Sequence, residues 1–67
     1  MYFSAEFPGN IDSQELYNDV KCFNLNVTDL ITKTYMYGEL SPSHCRSALE
    51  ICYKYSFIHL DIKNPAD

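Results

Sequence analysis

Apolar side chains recur along the first half of the chain in steps of four and three. Leu16, Val20, Phe23, Val27, Leu30, Thr34 and Tyr37 follow one another at 4, 3, 4, 3, 4 and 3 residues, and only Thr34 is not apolar. A mean period of about 3.5 is the seam of a coiled-coil-like helix. The spacing predicts one helix over about residues 13–37, opened by Asp12 or Ser13 as N-cap after the turn-prone Pro8-Gly9-Asn10. Asn24 and Asn26 oppose continuity because both prefer caps and turns, so a break near residues 24–29 is the alternative.

A second run places Ala48, Ile51, Tyr55, Ile58 and Ile62 at steps of 3, 4, 3 and 4, with Cys45 and Cys52 flanking the same face. It predicts a helix over about residues 42–61, with Arg46, Glu50 and Lys54 spaced to pair on its outer side. Ser41 and Pro42 suit the start of that helix, and Gly38 suits the left-handed end of the one before. Residues 38–44, GELSPSH, then read as the bend of an αα-hairpin. Phe57 to Ile62 also alternates with a period of two, so a short strand paired with Tyr2–Phe7 is the competing reading of both ends. Asn64-Pro65 ends the element in either case.

The fold class expected is therefore all-α: a single small domain, residues 1–67, built as an antiparallel helical hairpin with residues 2–7 open to a short N-terminal strand. Leu16, Val20, Phe23, Val27, Leu30, Ile51, Tyr55 and Ile58 form its core or an oligomer seam. Two helices make one layer and leave aromatic surface uncovered, which points to a homo-oligomer or a bound partner. Size agrees, since a chain this short buries only about 60% of its unfolded surface.

Composition changes the picture little. Hydrophobic residues make up 46% of the chain and aromatics 15%, too rich for a disordered segment. No apolar run approaches the ~18 residues of a membrane span, and the N-terminus lacks the basic start and apolar core of an export signal. A cytoplasmic protein without membrane contact is expected, and the sequon Asn26-Val27-Thr28 is then coincidental. Cys22, Cys45 and Cys52 are odd in number and include no C-x-x-C pair, which speaks against a disulfide framework and a zinc finger. Cys45, Cys52 and His59 recur every seven residues, but on a helix each step is roughly 10.5 Å, too far for one ion. No metal or cofactor is expected.

Charge carries more. Glu6, Asp12, Glu15 and Asp19 are the only charged residues before Lys21, so the formal net charge of −4 lies wholly in the first third. Such a surface repels phosphate, which excludes direct nucleic-acid binding. Asp12, Glu15 and Asp19 share one side of the first helix, where they suit the helix dipole and also a docking surface for a basic partner. Ser41, Ser43 and His44 are helix-start residues rather than a nucleophile with its base, and no catalytic motif appears. The function expected is that of a non-enzymatic interaction module that binds and modulates another protein, such as a regulator of a transcription or nucleoid factor or a phage- or plasmid-encoded inhibitor. Asp12, Glu15, Asp19, Tyr17, Tyr35 and Tyr53 are its candidate partner-binding residues. The alternative is a structural homo-oligomer subunit or assembly co-chaperone that holds a partner helix in its groove.

Overall fold

In a computed structural model, which describes residues 1–64, the chain is an α+β protein. The elements run β1 (Tyr2–Pro8), α1 (Ser13–Val20), a 3-10 turn (Lys21–Phe23), β2 (Asn26–Leu30), β3 (Lys33–Glu39), a 3-10 turn (Pro42–His44), α2 (Cys45–Lys54) and β4 (His59–Lys63). The four strands form one antiparallel sheet in the order β2-β3-β1-β4. Two split β-α-β units are thus interleaved, the connectivity of ferredoxin-like folds.

The all-α helical hairpin is overturned. The helix expected over residues 13–37 ends at Val20, and its second half is the β2–β3 hairpin. Asn24 takes a left-handed conformation, φ 61°, and closes the 3-10 turn that follows α1. Downstream, Thr34, Tyr35, Met36 and Tyr37 alternate inward and outward, and β-branched and aromatic residues suit a pleated strand better than a helix. A two-residue turn, Ile31-Thr32, joins the strands, with Leu30 opposite Lys33. The helix expected over residues 42–61 is α2 alone, preceded by the Pro42 turn. Ser56 ends it at φ 59°, while the Phe57 and Ser56 amides donate to the Cys52 and Tyr53 carbonyls in a Schellman arrangement. GELSPSH accordingly links a strand to a helix: Gly38 lies within β3, at φ 150°, where a side chain would press on Leu25.

The competing reading of the chain ends is the one observed. β1 pairs with β4 from Tyr2 opposite Lys63 to Glu6 opposite His59. Pro65 lies outside the described residues. Asp12 is the N-cap of α1, as its position before Ser13 implies, and its carboxylate accepts the amides of Gln14 and Glu15 at 3.1 and 3.2 Å.

The core lies between the helices and one face of the sheet. β1 sends in Phe3, Ala5 and Phe7, β3 sends Thr34 and Met36, α1 sends Leu16 and Val20, and α2 sends Ala48 and Cys52. Of the expected seam, Leu16, Val20 and Tyr55 belong to this core and Phe23, Val27 and Ile51 are half-buried, whereas Leu30 and Ile58 are 58% and 55% exposed. At Gly9 a Cβ would stand 2.6 Å from the Thr32 carbonyl, so the loop after β1 closes on the tip of the β2–β3 hairpin, sealed by the Gly9 amide donating to that oxygen at 3.0 Å.

Candidate functional site

Among the described residues, strand alternation leaves the second face of the sheet without a covering layer. Residues directly opposite share a face, so registers place Tyr2, Ser4 and Glu6 of β1, Lys33, Tyr35, Tyr37 and Glu39 of β3, Asn26, Thr28 and Leu30 of β2, and His59, Asp61 and Lys63 of β4 together on it. The aromatic side chains stand on the two central strands, with Tyr2 42% and Tyr37 37% exposed and Tyr35 half-buried between rows. Tyr2, Ser4, Thr28, Leu30, Tyr35, Met36 and Tyr37 line a shallow, largely apolar hollow of about 410 Å³. A smaller recess of about 70 Å³ lies between Ser4, Glu6, Tyr35 and His59.

Charge on this face closes on itself. Among the described residues, Lys33 lies 2.9 Å from Glu6, Lys63 3.9 Å from Asp61, and the N-terminal ammonium 3.4 Å from Glu39. The hydrogen bond from Lys33 holds the Glu6 carboxyl below its ordinary range against the opposing pull of burial, and Glu6 in turn raises the Lys33 ammonium. The face is therefore nearly balanced in charge, with three carboxylates against two lysines, aromatic at its centre and polar at its rim.

The acids of α1 are placed differently. Asp12 turns into its own helix end, and Asp19 accepts the Lys54 ammonium at 3.0 Å and the Tyr55 hydroxyl at 2.6 Å. Glu15 stands 3.8 Å from the same lysine, so two of the three acids share one cation from α2. Tyr17 is 45% exposed on α1, and Tyr53 is 72% exposed on α2, edge-on to Phe57 at 5.3 Å. Of the six partner-binding residues expected from sequence, Tyr35 alone reaches the open sheet face. Tyr2 and Tyr37 stand there too: the helical stripe had placed Tyr37 on a seam, and the alternation of Tyr2-Phe3-Ser4-Ala5-Glu6-Phe7 carries the signal for Tyr2.

Cys22 is exposed, Cys45 half-buried and Cys52 buried, where desolvation pushes its thiol up to about 11. Cys45 and Cys52 lie on α2 and His59 on β4, and among the described residues no cluster of three histidine, cysteine or acidic side chains is placed to hold a metal ion. No helix among them is long and apolar enough to cross a membrane. Comparison with known proteins finds no matching family model, no matching curated protein and no matching solved structure.

Proposed function

We propose that the chain is a small interaction module that binds and modulates another protein through the open sheet face, without catalysis of its own. The observation that carries this is the uncovered pair of central strands bearing Tyr2, Tyr35 and Tyr37 around one apolar hollow. Tyrosine supplies a large apolar area at low entropic cost and a hydroxyl at its end, which is why it is enriched where proteins meet. Because the face's charges pair within it, the surface it suits is an uncharged one that offers apolar side chains and hydrogen-bond acceptors. A basic partner at α1 is less favoured, since Lys54 already stands between Glu15 and Asp19. The cytoplasm is the compartment proposed, where thiols such as the exposed Cys22 stay reduced.

Aromatic residues on the central strands of an open four-stranded sheet also serve base stacking in RNA-binding domains. Here the face's cations are held by carboxylates, and the chain's net charge of −4 opposes a phosphate backbone. Proteins captured from the native host by immobilised wild type are compared with those captured by a Tyr35→Ser, Tyr37→Ser variant and by a Glu15→Gln, Asp19→Asn variant. One specific partner lost at least tenfold with the tyrosines and kept with the altered acids is the expected result. Loss with the acids alone contradicts it, as does tight, salt-sensitive binding of a labelled single-stranded oligonucleotide.

A further inference from the structure

The two edges of the sheet are unlike. On β4, His59, Asp61 and Lys63 stand outward, the ionisable side chains by which natural edge strands discourage pairing. β2 has no such guard. Its outward residues are Asn26, Thr28 and Leu30, its single acid Asp29 accepts the Ser13 and Thr34 hydroxyls at 2.6 and 2.7 Å, and the fully exposed Ile31 follows at the turn. An edge whose outward side chains are uncharged, with its backbone groups free on one side, is a template for another strand.

We propose that β2 pairs antiparallel with β2 of a second copy about a two-fold axis at Thr28, joining two sheets into one of eight strands. The strand is self-complementary in that register. Thr28 meets Thr28, Asn26 meets Leu30, and Val27 meets Asp29, so no two like charges face one another. The axis stands perpendicular to the sheet, so both open faces lie on the same side. Leu30 of one copy then falls next to Asn26, the neighbour of Tyr37 in the other, and carries the apolar hollow across the axis. Area points the same way. Four strands ~4.8 Å apart and about six residues long give a face of roughly 400 Å², near half of the ~800 Å² per partner of a standard interface. Two copies supply the whole, a consideration that rests on the docking proposed above; the pairing itself is read from mass and is independent of it.

Sedimentation equilibrium of the full chain over a salt series tests the pairing. Wild type sediments at twice the 7.8 kDa chain mass, and more strongly as salt screens the repulsion between two acidic copies. Thr28→Lys sets two ammonium groups opposite each other at the axis and weakens the dimer at least tenfold; Leu30→Lys, at an exposed site one side chain further along, replaces the apolar side chain that meets Asn26 with a charge and weakens it too. His59→Lys on the other edge leaves the mass unchanged, and circular dichroism of all three matches wild type. Wild type at the single-chain mass at high concentration overturns the pairing, as does a dimer indifferent to both β2 lysines. A dimer broken by Tyr35→Ser, Tyr37→Ser and not by the lysines overturns it too, and places the contact on the open face.

Discussion

Tyr55 ties the helices' polar rim to the core. Its ring stands edge-on to Phe7 at 6.5 Å, and its hydroxyl donates to Asp19. The Tyr55 hydrogen bond first and Lys54 second hold the Asp19 carboxyl below its ordinary value, while burial opposes them. Burial first and Asp19 second push the Tyr55 hydroxyl up to about 12. A lowered carboxyl contributes stability present above its unfolded value of 3.8 and lost as pH falls through the folded one. A raised phenol contributes stability present below 10 and lost as pH climbs through about 12. Tyr55→Phe should therefore flatten both limbs of the stability profile, most visibly between pH 10 and 12, at a cost near neutrality of about 1–2 kcal/mol for the lost bond to a carboxylate. Urea midpoints across pH read this directly; parallel alkaline limbs in variant and wild type contradict it. Asp12 as N-cap was legible at this scale. Ser56 was not, because left-handed helix ends announce themselves through glycine, and a serine held there by tertiary packing carries no such mark.

Elements were legible where one period stood alone. α1 and the body of α2 carry their helical stripes, whereas at residues 57–62 the stripe through Ile58 and Ile62 extended the expected helix, and the alternation that competed with it is the one that pairs with Tyr2–Phe7. Between residues 24 and 37 two periods overlap. A 3.5-residue stripe connects Val27, Leu30, Thr34 and Tyr37 but skips Met36, which is fully buried, and includes Leu30, which is not. The strand period that puts Thr34 and Met36 inside spans only a few residues and is outvoted by a long stripe of accidental regularity. The β1–β3 and β2–β3 ladders then decide, because the half-chain expected to be one helix gains two strand partners and a buried face. Met36→Ala should cost about 2–4 kcal/mol, the loss expected for a buried methionine. Ile58→Ala, at an exposed position of the expected seam, should stay within about 0.5 kcal/mol. Chemical denaturation separates the two, and equal losses would restore the seam.

At the scale of the whole molecule the chain divides into a helical side and a sheet side of different electrical character. α1 and α2 carry Glu15, Asp19 and Glu50 against Arg46 and Lys54, and Asp12 caps α1, whereas on the open face Glu6 and Asp61 are each paired with a lysine. Sequence showed the acidic excess and its position; it did not show that Asp12, Glu15 and Asp19 lie away from the aromatic face while Glu6 stands on it against Lys33, because that division exists only once β1, β3 and β4 are paired. The same pairing brings Tyr2 beside residues more than thirty positions away. The most direct test of the open face as the docking surface is a titration of isotope-labelled chain with its captured partner, followed by backbone amide shifts. The docking proposed here predicts the largest changes at Tyr2, Ser4, Thr28, Tyr35 and Tyr37, with Asp12, Glu15 and Asp19 nearly still. Changes concentrated on α1 with the open face unmoved would contradict it.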